Sequence, residues 1–175
     1  TERDDERFVR WDACSLCEQK HHGVVACALG WACWKTYSGR AETDTIRCSA
    51  MHRLGIALFL ANRHEEALTV KEAEFSVLRR VGAPALSMLA VQGNLATTYE
   101  ALGRQELALS MRQEVYSERL KLHGKEHVET IRAAHNYANS LVSLKRYAEA
   151  KALLRKTMPV ARRVLGDSFD LTLLV

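Results

Sequence analysis

Proline occurs only twice in 175 residues and glycine nine times, too seldom to punctuate a turn-rich β fold or to supply flexible linkers. The scarcity favours helices. No apolar run approaches the roughly 18 residues that cross a bilayer, and Thr1-Glu2-Arg3-Asp4-Asp5 is not the opening of a secretory signal. The chain therefore reads as soluble and cytoplasmic, with no membrane partner. A strong excess of one charge is missing too: the formal net charge is +4, and Lys/Arg alternate with Asp/Glu along the chain. That is the pattern of a solvated outer face and argues against nucleic acid as a partner. Five cysteines are an odd number, and four of them lie between Cys14 and Cys33, which suits reduced thiols or a metal better than a disulfide framework.

What is present is a repeat. With 47% apolar and 7% aromatic residues the chain can form one ordinary domain with a sizeable core, and one phrase is written through it at a nearly fixed distance. Shifted forward by 42 residues, Leu95, Ala96, Tyr99, Arg104, Ala108 and Gly124 land on Tyr137, Ala138, Leu141, Arg146, Ala150 and Gly166. Shifted back by 41, the first five land on Leu54, Gly55, Leu58, Arg63 and Ala67. Such a period is the sign of stacked structural repeats. Each unit reads as two helices. Leu89, Leu95, Ala96, Tyr99 and Leu102 stripe the first, Ala108, Met111, Val115, Leu120 and Leu122 the second. The small residues Gly55, Ala67, Ala96, Ala108, Ala138 and Ala150, with Gly23 in a divergent first unit, let paired helices approach and cross.

Boundaries follow from Gly39, Gly82, Gly124 and Gly166, each expected just past a helix end with positive φ. Six residues beyond three of them stand Thr45, Thr130 and Thr172, suited to an N-cap or a first turn. Glu65-Glu66 and Glu149 open second helices at the positive end of the helix dipole, and Pro159 predicts a kink near Thr157. The expected organisation is a tail or helix start at 1–7, a divergent Cys-rich helix pair at 8–39, and well-formed units at 40–82, 83–124 and 125–166. Residues 167–175 read as the start of a further helix. A chain that opens without Met and closes at Leu171-Thr172-Leu173-Leu174-Val175 has the look of a segment cut from a longer array, whose open ends could also stack on another copy.

The phrase Leu95-Ala96-x-x-Tyr99, with Gly103-Arg104 and Ala108-Leu109, resembles the tetratricopeptide repeat (TPR). The 42-residue period with Gly124-x-x-His127-x-x-Thr130 is similar in particular to the long repeat of kinesin light chains. The resemblance covers Met51 to Thr172 well and Phe8 to Gly39 poorly. It implies an all-α fold: a right-handed α-solenoid of antiparallel helix pairs, about four units, whose first helices line a concave groove that holds peptides. It also implies that groove asparagines meet the ligand's main chain, and Asn94 and Asn136 stand one period apart in Gly93-Asn94-Leu95-Ala96 and His135-Asn136-Tyr137-Ala138. An amide supplies donor and acceptor together, so it can bond an extended ligand whatever its side chains. Gly93 and His135 stand where that family often has a further Asn, and Arg53-Leu54-Gly55 has none, so no particular cargo motif carries over.

The face opposite the packing stripe assembles a candidate peptide surface: Ser49, His52, Ile56 and Phe59 from the second unit, Gly93, Asn94, Thr97 and Ala101 from the third. The fourth adds Arg132, His135, Asn136, Asn139 and Ser143. The competing reading has Asn94 and Asn136 bonding the neighbouring repeat. Arg53, Arg112 and Arg132 are candidates for acidic ligand groups or for plain solvation.

Cys14-x-x-Cys17, His21-His22, Cys27 and Cys33 hold enough soft ligands for a tetrahedral zinc site, and a zinc-stabilised recognition unit with the repeats as support is the alternative function. Against it, repeat alignment puts Cys14 and Cys27 in core slots, where free cysteine acts as a small hydrophobe. No other cofactor is called for. Trp31, Trp34 and Tyr37, at helical spacing, read as core or end-capping groups. Seven histidines lie scattered with no nucleophile or acid beside them, and no glycine-rich phosphate loop appears, so an enzyme finds no support. Lys151, Arg155, Lys156, Arg162 and Arg163 spread over an outer face, a solvated surface before a phosphate or RNA contact. The reading is a protein-interaction module whose partner is a protein or peptide segment.

Overall fold

The computed structural model describes residues 8, 11, 13, 16, 17 and 19–166. The tail at 1–7, Cys14, and the further helix expected at 167–175 with Thr172 lie outside the described residues. Among the described residues seven helices follow in order: α1 (Gly23–Tyr37), α2 (Thr45–Leu60), α3 (His64–Arg80), α4 (Ala85–Ala101), α5 (Gln105–His123), α6 (Val128–Ser143) and α7 (Tyr147–Leu165). The fold is an all-α helical repeat. It divides into two compact units, residues 1–91 and 92–175. In the first, α1 packs on α2 and α2 on α3; in the second, α5 packs on α6 and α6 on α7.

The repeated turn within each helix pair is what the periodic Arg marks. Asn62, Gly103 and Lys145 take φ of 59°, 75° and 60°, the left-handed step that ends a helix. The next residue then donates its N–H back to the helix: Arg63 to Leu58 O (3.0 Å), Arg104 to Tyr99 O and Arg146 to Leu141 O (both 2.8 Å). Orphaned C-terminal carbonyls are thereby satisfied. Arg63 and Arg146 go on to clamp Glu66 and Glu149 in the first turn of the following helix, where carboxylates also suit the helix dipole. Glycine is dispensable here because asparagine tolerates the left-handed region; Lys145 adopts it at a cost of about 1 kcal/mol.

Between pairs, Gly82, Gly124 and Gly166 carry positive φ as expected, but Gly39 does not. The reason is that α1 closes on Ser38 in a right-handed conformation, and Asp44, whose carboxylate accepts from Ile46 N and Arg47 N, caps α2. Thr45 is therefore the first helical residue. Thr130 lies in the first turn of α6, buried, with Oγ1 donating to Arg119 O at 3.2 Å.

In the first unit, Leu54, Leu58, Ala67 and Cys27 form one core cluster and Cys33, Tyr37, Ile46 and Ala50 another, with Trp34 packed against both. In the second, Leu109, Leu141 and Ala150 play the same part, with Tyr137 against them. The small residues Ala67, Ala96, Ala108, Ala138 and Ala150 are all buried. Two stripe assignments need correction: Leu120 and Leu122 are exposed at 37% and 51%, because the last turns of α5 run on past the core. The divergent first unit also differs. Gly23 is not a packing residue inside a helix but opens α1 with φ +55°, and an added Cβ there meets nothing. The close approach is at Gly30 instead, where a Cβ would stand 2.9 Å from that of Ala57. Ahead of α1, Phe8 is helical and Ala13 and Lys20 form an isolated antiparallel bridge. The last helix, α7, runs on through Pro159 to Leu165.

Candidate functional site

The first unit holds a cavity of about 780 Å³. One side of α2 forms its wall: Thr45, Cys48, Ser49, His52, Arg53 and Ile56, spaced three or four residues apart along one helix face, line it. Glu74, Leu78 and the Val81–Pro84 turn close another side, and Ser87, Ala90 and Val91 from the start of α4, with Phe8 and Glu42, complete it. Ser49, His52 and Ile56, which the sequence places on a peptide face, thus converge on one hollow. Phe59 does not. Its ring packs against the Leu54/Leu58 core, meets the His64 ring in a tilted arrangement with centroids 4.8 Å apart and has its centroid 4.6 Å from Lys71 Nζ.

The surface of the cavity is more apolar than polar, and its charges are mostly engaged. Glu42 is gripped by Arg80 through bonds of 2.7 to 3.0 Å, which hold its carboxyl below the usual range. Arg53 lies over the Phe8 ring, 4.8 Å from its centroid. Glu74 is the exception. Only 4% exposed, it takes His52 Nδ1 on Oε1 at 2.9 Å, while Oε2, shut off from solvent, has no hydrogen-bond partner. Beside it on the same helix, Lys71 is equally buried, and desolvation pulls its ammonium down to about 8, against the smaller opposing pull of Glu74.

The second unit presents a different surface. Thr97 and Ala101 on α4 and Arg132, Asn136 and Ser143 on α6 are exposed; Gly93, Asn94, His135 and Asn139 are half-buried. Several of these side chains are already occupied. Thr97 and Ser143 donate to main-chain oxygens one turn back, Gly93 O and Asn139 O; Arg132 pairs with Glu129 at 2.9 Å; and Asn139 Nδ2 meets His135 Nε2 at 3.0 Å. With the amide donating, His135 carries its hydrogen on Nδ1, which is buried without a partner. Burial first and the charge of Arg112 second hold its pKa below the ordinary histidine value, so the ring is neutral at neutral pH.

Arg112 is not the solvated arginine its sequence context suggests. It is 9% exposed and donates to Asn136 O at 2.9 Å and to Glu100 at 2.6 Å, beneath the face that carries Asn136. Its signal lay in the repeat itself: Lys71 and Arg112 are 41 residues apart, the same slot in successive units, four residues past the buried Ala67 and Ala108. A stripe that reads small residue, cation, apolar on the packing face of a second helix points to a buried charge.

The cysteines separate into different environments. Cys27 belongs to the Leu54 cluster and accepts from Arg63 at 3.6 Å; Cys33 is fully buried with Ile46 and Ala50, and desolvation raises its thiol to about 11. Cys17 is exposed. Among the described residues no three His, Cys, Asp or Glu side chains gather as a metal would need. His21 and His22 stand ahead of α1, half-buried and exposed. Trp31 is partly exposed at 36%, Trp34 and Tyr37 are core groups, and Lys151, Arg155, Lys156, Arg162 and Arg163 are all exposed on α7. Among the described residues no helix is long and apolar enough to cross a membrane.

A family model described as tetratricopeptide repeat matches residues 46–117 and 87–163. Two structures of nearly identical TPR-like repeats from a Podosopora anserina protein described as a kinesin light chain, one of them a point variant, are similar in fold. The variant has a TM-score of 0.68 at 20% identity, covering 79% of this chain and 66% of that one; the other has 0.66 at 21%, covering 84% and 69%. BtubC (BKLC) from P. vanneervenii gives 0.69 at 13% identity, covering 83% of this chain and 59% of that one. The chain thus spans 59% to 69% of the length of these structures. No curated protein matches it.

Proposed function

Because this chain belongs to the tetratricopeptide repeat family, matched over most of its length, we propose that it binds a peptide segment of a partner protein through side chains on α2, on α4 and on α6, as an adaptor and not an enzyme. Repeats of this family are protein-interaction scaffolds. The observation that carries the reading is the convergence of Ser49, His52 and Ile56 on one cavity of about 780 Å³, a volume that takes a side chain or two of a ligand. Asn94 and Asn136, one repeat apart, are the groups assigned to the ligand's main chain, each with donor and acceptor. Asn139, whose amide is held by His135, has the supporting part. The cysteines among the described residues, Cys17, Cys27, Cys33 and Cys48, are free thiols and suit a reducing, cytoplasmic setting.

The reading is tested by quantitative affinity capture with the wild-type chain, Ile56→Glu, Asn94→Ala with Asn136→Ala, and the outer-face control Arg155→Glu, each checked for unchanged helix content. Partners retained by Arg155→Glu and lost tenfold or more from the other two variants support it. Equal recovery by all four removes the assigned face from consideration.

A further inference from the structure

We infer that the cavity beside α2 receives a cationic side chain, lysine or arginine, of the bound peptide, with Glu74 as its counter-charge. This rests on the peptide-docking reading and adds the chemistry of one anchor to it. Buried carboxylate oxygens are nearly always hydrogen-bonded, and one that is not calls for an explanation. Glu74 Oε2 is such an oxygen, on a residue 4% exposed that helps to line the cavity. Its sister oxygen already holds His52 Nδ1 at 2.9 Å. The vacancy is therefore for a donor.

The rest of the hollow narrows the choice. Ile56, Leu78, Val81 and Val91 offer aliphatic walls, which suit the methylene stem of lysine or arginine and leave the charged head to seek a polar end. An acidic side chain would meet the Glu74 carboxylate, Glu42 being already neutralised by Arg80, and an aliphatic one would leave Oε2 unsatisfied. The fixed cation in the lining, Arg53, has its guanidinium over the Phe8 ring, and Lys71 Nζ lies against Phe59, a residue outside the lining. Because Oε2 has no solvent contact, the incoming head group reaches it as the His52 ring, 36% exposed in its side chain, turns outward. One donor then replaces another on Oε1, and the second oxygen gains the partner it lacks. Charge-assisted hydrogen bonds of this kind are the stronger sort.

The test uses pentapeptides of one alanine-based sequence whose central residue is lysine, norleucine, arginine, citrulline or glutamate, titrated into the full isotope-labelled chain and followed by NMR at Ser49, His52, Ile56 and Val91. Lysine and arginine peptides are expected to bind at least tenfold more tightly than norleucine and citrulline, and Glu74→Gln to reduce that ratio to near one. If Glu74→Gln fails to fold, the ratio on the wild-type chain decides alone. Equal binding of lysine and norleucine overturns the counter-charge while leaving peptide docking intact; tighter binding of glutamate overturns it as well. Absence of any shift at the four residues with all five peptides overturns both this inference and the placement of the ligand in the cavity.

Discussion

Arg112 holds the main-chain oxygen of Asn136 at 2.9 Å and the Glu100 carboxylate at 2.6 Å from a position only 9% exposed, so the middle of α6 is fixed by a charge on α5. Removing the guanidinium leaves a carbonyl without its donor and a carboxylate without its cation, and breaking a buried pair in this way typically costs about 3 kcal/mol. Glu100, with 28% of its side chain exposed, can fall back on water. Arg112→Ala is therefore expected to lower unfolding free energy by about 3 kcal/mol in urea titration, and Glu100→Gln by about 1 kcal/mol. Equal losses from the two would mean that the bond to Asn136 O contributes little.

Gly30 and Ala57 set the approach of α1 to α2. A Cβ on Gly30 would lie 2.9 Å from Ala57 Cβ and 3.4 Å from Leu54 Cα, the latter backbone that cannot step aside. Gly30→Ala is expected to cost about 1–3 kcal/mol through overpacking, in spite of the better helix propensity of alanine. Ala57→Gly in the same chain removes the nearer clash and should recover part of that loss, beyond the sum of the single changes. A double-mutant cycle by thermal melting checks it, and additive effects would show that the two helices are not held apart at this point.

The repeat made the fold legible because its marks are backbone requirements. The left-handed step before each Arg, the small residues at the crossings and the acidic first turns recur at 41 or 42 residues, and the helices are where that period puts them. Where the repeat fades, so did the reading. Gly23 and Gly39 kept the spacing of working glycines, yet the close approach fell to Gly30, a residue no alignment to the later units singles out. The candidate surface was half legible. Helical spacing brought Ser49, His52 and Ile56 to one side of α2, but the far wall of the cavity comes from α3 and the 81–84 turn, and a period within one helix says nothing about what stands opposite. Phe59 shows the limit from the other side: its spacing matches Ile56 and His52, while its bulk is drawn under His64 and Lys71.

Lys71 gives stability a pH dependence with a sign opposite to that of most buried thiols. Its pKa falls from the ordinary 10.5 to about 8 in the fold, so between those values the unfolded chain binds more protons and stability rises with pH. Below about pH 8 both states are protonated and the full cost of burying the ammonium is present, roughly 3 kcal/mol. Raising the pH from 7 to 9 should relieve about 1 kcal/mol of it. Cys33 works the other way: its thiol is raised from 9.0 to about 11, which takes back a few tenths of a kcal/mol by pH 9 and more above. Lys71→Met separates the two, since it keeps a straight apolar chain in the same slot and leaves Cys33 alone. Urea titrations at pH 7 and pH 9 should show the stability of wild type relative to Lys71→Met improving by about 1 kcal/mol at the higher pH; a difference that stays constant would place the Lys71 ammonium in contact with water.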